Sequence, residues 1–246
     1  MRGIDRREHG LAESVCGFFK VIASRLTPYA LLFLVGCAIP TVPYRSVYED
    51  PVNFVRLERD ETVLPEWPPS AHAHPKAMSA EEVARILGGI LVKEQRIWIQ
   101  KWLQGEAPLI PAFRPEELAL LSQQIAEAFA VAQPDERVTF YLSQPQTSVR
   151  RIITSGGAYL HGTELHFTLG NWQVIYGIPT YGMIYDRRYP MRPTAAKGFN
   201  LFYDPSEATV EQRHSFLDTL LANTRDELVI DLTKVVPGPV ASLAGR

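Results

Sequence analysis

The stretch "SVRRIITSGGAYLHGTELHFTL", residues 148–169, decides the fold. Two extended runs flank His161-Gly162-Thr163, a short connection with glycine at its centre, which is hairpin chemistry. Side chains alternate across a strand, so Leu165, Phe167 and Leu169 share one face of the second run. Thr154-Ser155-Gly156-Gly157 reads as a strand closing in a glycine bend. Upstream, "RVTFYLSQ" (137–144) sets Val138, Phe140 and Leu142 on one side. Downstream, "NWQVIYGI" (171–178) and "YGMIYDRRY" (181–189) continue the meander, followed by "GFNLFYD" (198–204) and a closing strand "ELVIDL" (227–232).

Helices frame these strands. Ser79-Ala-Glu-Glu82 has the form of a capping box. Val83, Ile86 and Leu87 follow at helical spacing, and Gly88-Gly89 ends the helix. Pro115 suits a first turn, and Glu116 and Glu117 suit the positive end of the helix dipole. Leu118, Leu121, Ile125, Ala128, Phe129 and Ala132 then form one apolar stripe, with Pro134 beyond its end. Asp204-Pro205-Ser206-Glu207 starts a last helix, with Phe216, Leu217, Leu220 and Leu221 inside. Between the first two helices, "ILVKEQRIWIQKWL" (90–103) reads as strand. Ile97, Ile99 and Lys101 fall on one face and Trp98 and Trp102 on the other. Consecutive strands bracketed by helices predict an α+β fold, a mostly antiparallel sheet with about three helices packed on it.

Residues 26–36 carry no charge, follow Arg2, Arg6, Arg7, Lys20 and Arg25, and run into Gly36-Cys37. Roughly 20 apolar residues are needed to span a bilayer, so this run is too short; it matches the apolar core of a signal peptide. Leu34-Val35-Gly36-Cys37 resembles the lipobox of bacterial lipoproteins. The resemblance implies cleavage between Gly36 and Cys37 and lipidation of Cys37, which would tie the protein to membrane lipid. Ala38, where an Asp would direct retention, implies the outer membrane, facing the periplasm. Three further segments, "AHPKAMSAEEVARIL" (73–87), "FRPEELALLSQQIAEAFAVAQPDERVTFYL" (113–142) and "ITSGGAYLHGTELH" (153–166), resemble bacterial lipoproteins of unassigned activity. That likeness implies a secreted single domain and no particular chemistry.

The expected organisation is a leader (1–36), a lipidated and proline-rich tether (37–78), one α+β domain (79–236) and a loose tail (237–246). Within the tether, "VNFVRLE" (52–58) reads as a short strand. "LPEWPPSAHAHP" (64–75) either reaches from a membrane or drapes over the domain with Trp67 in a groove. The only cysteines are Cys16 and Cys37, so the mature domain has no thiol for catalysis, iron–sulfur or zinc chemistry. Residues 1–36 hold 5 of the 25 basic and 3 of the 27 acidic residues, leaving a net charge near −4. No basic footprint for nucleic acid remains.

No catalytic or metal-binding constellation stands out, and no cofactor is expected. His72-Ala-His74 is the only close His pair, has no nearby Asp, Glu or Cys to complete a ligand set, and reads as part of the mobile tether. Ser155, Glu164 and His166 lack the surroundings of a nucleophile elbow. The carboxylate pairs Glu58/Asp60 and Asp226/Asp231 read as solvated charge. The densest unusual region is 172–203, where Trp, Tyr and Arg, the residues of binding hot spots, recur. Trp172, Tyr181, Tyr185, Arg187, Arg188, Tyr189 and Arg192 are the candidate partner-binding residues, for an envelope protein or glycan. The alternative to their being a Tyr-rich sheet face is thus a docking surface. The expected function is a non-enzymatic binding or scaffolding role toward another envelope component. The alternatives are a periplasmic hydrolase and a small-ligand-binding lipoprotein with a concave aromatic sheet.

Overall fold

The computed structural model describes residues 42–64, 66–147, 150–177, 187–194, 197–210 and 227–235. The expected leader with its Gly36–Cys37 junction, Tyr181, Tyr185, the helix expected over 206–221 from residue 211 onward, and the expected tail lie outside them.

The fold is α+β. Among the described residues, strands β1 (Tyr44–Glu49), β2 (Phe54–Arg59), β5 (Glu136–Thr147), β6 (Arg150–His161), β7 (Glu164–Gly177) and β9 (Glu227–Asp231) make one sheet in the order β1-β2-β5-β6-β7-β9. Every pairing in it is antiparallel. A second antiparallel sheet joins β4 (Leu109–Pro111), β3 (Ile90–Glu94) and β8 (Phe199–Tyr203). The helices are α1 (Ala80–Gly88), α2 (Trp98–Gln104) and α3 (Pro115–Val131). None of the described helices is long and apolar enough to cross a membrane.

The expected hairpin forms, with Gly162 at φ 58° between β6 and β7. Gly156-Gly157 does not end the strand; β6 continues through it, and the register with β7 shifts on either side of Ser155. Alternation then does what the pattern predicts. Val138, Phe140 and Leu142 face the core beside Leu165, Phe167 and Leu169. Both framing helices bury their apolar faces against them. Ser79 Oγ accepts from the Glu82 amide at 3.2 Å, and Glu82 returns the bond to the Ser79 amide at 2.8 Å. Leu121, Ile125, Ala128, Phe129 and Ala132 of the α3 stripe are buried. Ile90, Val92, Leu201 and Tyr203 of the smaller sheet close the same core.

Two expectations need correction. Residues from 42 onward are not a tether: β1 and β2 form one flank of the main sheet, and β2 is sealed against β5. Pro43 and Pro51 fall outside these strands, where a missing amide costs no ladder bond. The segment that follows is held by the domain, with the His72 amide donating to Pro134 O at 2.8 Å and the Ala73 amide to Leu160 O at 2.7 Å. His72 and His74 are each 6% exposed, whereas Trp67 is 60% exposed and fills no groove. The second correction is α2. Residues 98–103, expected as strand, are helix, closed by Gly105 at φ 72°, a conformation suited to glycine after a helix.

Candidate functional site

The face of the main sheet turned away from the helices is buried and largely polar, with an apolar patch at Phe54, Tyr141 and Ile153. Arg56, Glu58, Thr139, Ser143, Ser155 and Asn171 lie along it, all under 9% exposed. Residues 187–194 lie against this face and are pinned by one side chain. Asn171 donates to Ser155 Oγ and Arg192 O, and accepts from the Thr194 amide and hydroxyl, each at 2.9 Å. That is the full bonding capacity of an amide in two donors and two acceptor contacts. Ser155 Oγ donates to Pro190 O at 2.6 Å. Gly170 permits the close approach, since a Cβ there would sit 2.7 Å from the Met191 carbonyl.

This clamp separates the residues expected to bind a partner together. Arg187 lies over the Phe54 and Tyr141 rings, at 5.2 and 5.4 Å, and reaches Asp50 O. Arg192 lies 4.6 Å and Arg188 5.9 Å from the Tyr189 ring. Tyr189 and Arg192 line a cleft of about 200 Å³ with Glu58, Asp60 and Arg137. Trp172 belongs elsewhere: its indole N–H donates to Ala112 O at 3.1 Å and its ring packs on Phe199 on the core side. The described members therefore do not form one aromatic surface.

The Glu58/Asp60 pair, expected in solvent, is 4% and 3% exposed. Burial pushes the Glu58 carboxyl up. Burial would also raise Asp60, but hydrogen bonds from His72 and Thr62 and the Arg137 charge hold it well below the usual carboxylate range. Carboxylates driven apart in this way suit acid–base chemistry. Asp60, however, has no free oxygen to offer. Oδ1 accepts from the Thr62 amide (3.0 Å) and hydroxyl (2.8 Å) and faces Arg137; Oδ2 meets His72 Nε2 at 3.1 Å. Next to it the Tyr159 ring is stacked between His72 (4.4 Å) and His166 (4.6 Å). The Tyr159 hydroxyl donates to Glu227 at 2.9 Å, and His166 Nδ1 contacts the same oxygen at 3.0 Å. Burial and the Glu227 charge raise the phenol far out of the range in which it could act as a base. This pillar ties residues 60–72 to β6, β7 and β9.

The Ser155–His166 pairing does not assemble. Across the β6–β7 register Ser155 faces Asn171 and Tyr159 faces His166, so the two are about four strand residues, or ~13 Å, apart. Among the described residues no group of three or more His, Cys, Asp or Glu could hold a metal ion.

A larger opening, of about 520 Å³, is lined by residues of β7 and α2, with Trp172 and Phe199 among them. Five amide side chains line it: Gln95, Gln100, Gln104, Asn171 and Gln173. Three have structural duties. Gln95 donates to Asn200 Oδ1 at 2.9 Å, Gln100 accepts from the Ile97 amide at the start of α2, and Asn171 holds the clamp. The side-chain amides of Gln104 and Gln173 have no hydrogen-bond partner among the described residues. Gln173 is also the one non-glycine described residue at positive φ, 48°. That conformation costs an L-residue roughly 1–2 kcal/mol, and such strain clusters at ligand sites. Glu94, Arg96 and Lys197 at the rim leave the groove without a dominant charge. None of these amides belongs to a recognisable motif, and they come from separate segments.

Fold and site together define an α+β domain with a polar, amide-lined groove. Compared with known protein families, curated sequences and solved structures, the chain matches none.

Proposed function

We propose that this chain is a lipid-anchored protein of the bacterial cell envelope whose domain binds a neutral, hydroxyl- and amide-rich component, an envelope glycan, without transforming it. The observation that carries the reading is the groove between β7 and α2, where two unpartnered glutamine amides share the lining with Trp172 and Phe199. Amides offer a donor and an acceptor side by side, the pattern that hydroxyl and acetamido groups of a sugar polymer match. A strained Gln173 held in that groove is a further support. The anchor at Cys37 and cleavage after Gly36 rest on the lipobox resemblance. The hydrolase alternative has less support, because Asp60 and Ser155, the groups such chemistry would use, have their oxygens committed to structural bonds.

Retention of the full chain on isolated peptidoglycan sacculi tests the reading. The wild-type chain is retained, and Gln104→Ala/Gln173→Ala weakens retention about tenfold, as expected for two lost hydrogen bonds. Equal retention of both forms would remove the groove from consideration.

A further inference from the structure

The apolar residues of α2 face the wrong way for a surface helix. At ~100° per residue, Trp98, Trp102, Ile99 and Leu103 occupy one continuous arc of roughly 140°. Gln100, Lys101 and Gln104 fill the remainder. In an ordinary surface helix the apolar arc faces the core. Here the polar side borders the groove, where Gln100 and Gln104 are among the lining residues while remaining exposed. The apolar side is in solvent: Trp98 is 76%, Trp102 81%, Leu103 67% and the preceding Ile97 62% exposed.

We infer that α2 docks the domain on the surface of a lipid bilayer, with Trp98, Ile99, Trp102 and Leu103 entering the boundary between headgroups and acyl chains. Composition and charge both favour a bilayer over a protein partner. Two indoles beside branched aliphatic residues are the side chains that concentrate at membrane interfaces. Arg96, on the groove side, donates to the Gln104 and Gly105 carbonyls, with no carboxylate paired to it among the described residues; Lys101, on the helix itself, is 53% exposed and lies 3.8 Å from the exposed Glu106. Around α2, Lys93, Arg96 and Lys101 outnumber Glu94 and Glu106, a balance that suits anionic headgroups. A convex single helix of about two turns needs no preformed cleft in fluid lipid, whereas a folded partner would have to supply one. Because the opposite side of α2 lines the groove, docking would hold that groove beside the membrane surface. The inference does not depend on what the groove binds or on lipidation of Cys37.

Tryptophan quenching tests it in the full chain. The protein is mixed with vesicles of phosphatidylethanolamine and phosphatidylglycerol (about 3:1) whose acyl chains carry bromine, a contact quencher. Emission of the wild-type chain falls. Trp98→Phe/Trp102→Phe removes most of that quenching, whereas Trp67→Phe leaves it. Ile99→Glu/Leu103→Glu keeps all four indoles and loses the quenching. The readout reports lipid at α2 whichever other segment brings the chain to the vesicle. Absence of quenching in the wild type would overturn the inference. So would quenching undiminished by Ile99→Glu/Leu103→Glu, or a photo-cross-linker at position 102 that captures a protein while bromolipid has no effect.

Discussion

Helices α3 and α2 are both amphipathic, and they use it in opposite ways. In α3 the stripe Leu121, Ile125, Ala128 and Phe129 faces the main sheet and is buried. In α2 the arc Trp98, Ile99, Trp102 and Leu103 faces water, and no residue of the helix is buried. The same periodicity that stabilises the fold in one helix contributes almost nothing to it in the other. Apolar surface left outside a core marks a place where something else binds.

Stability measurements sharpen the contrast most strongly. Phe129→Ala removes a buried ring stacked on His74 at 5.3 Å and is expected to cost about 3–5 kcal/mol. Trp102→Ala removes a larger side chain at an exposed position and is expected to stay within about 0.5 kcal/mol. Urea titrations of the two variants make the comparison; similar losses would mean that α2 supports the fold after all.

A titration of smaller size probes the packing under α3. Burial and the neighbouring His72 push the His74 imidazole down to about 4. Its Nε2 faces the Leu160 amide at 3.5 Å, and Nδ1 is buried without a partner, so folding favours the neutral ring. Above the unfolded pKa of about 6.5 neither state is protonated and nothing is lost. Between 6.5 and 4 only the unfolded chain takes the proton, so stability falls as pH falls, by up to about 3 kcal/mol. Below 4 both states are protonated and the loss levels off. Glu58, raised by burial, acts with the opposite sign at the acid end, so the comparison is with His74→Phe. Chemical denaturation at pH 7, 6, 5 and 4 should give a flatter profile for that variant. Parallel profiles would assign the acid sensitivity to other groups.

A still smaller effect concerns local signals. Ser79→Ala breaks the reciprocal capping bonds of α1 and is expected to cost about 1 kcal/mol, measured as a shift in the urea midpoint. A null result would mean that packing of Val83, Ile86 and Leu87 alone sets the start of α1.

Where structure followed from neighbours in the chain, the sequence was sufficient. The capping box at Ser79, the stripe after Pro115 and the hairpin around Gly162 all read correctly, because each depends on residues within a few positions of one another. Residues 98–103 show where this fails: Ile97, Ile99 and Lys101 fit a period of two, while Trp98/Trp102 and Ile99/Leu103 fit a helical i,i+4 spacing. A run this short cannot separate the two. Gly105 was the available signal for the helix. The prolines between 40 and 75 suggested a tether, yet β1 and β2 lie between them, and β2 pairs with β5, some 80 residues away. Burial of Glu58 and Asp60 follows from that distant pairing, which sets Glu58 opposite Arg137, and no local pattern announces it. The groove was less legible still, since Gln95, Gln104 and Gln173 meet only once the two sheets and α2 are assembled. The Trp, Tyr and Arg of 172–203 drew notice by composition, but the Asn171 clamp distributes them among different surroundings.

Gln173 is where fold and function pull in different directions. If its positive φ is kept for the groove, relieving it should help the fold and harm binding. In Gln173→Gly the left-handed strain disappears, partly offset by the greater freedom of glycine in the unfolded chain. The expected result is a chain more stable by about 0.5–1 kcal/mol that is nonetheless retained several-fold less well on sacculi. A variant that gains stability and keeps full retention would contradict the assignment of the β7–α2 groove as the binding site.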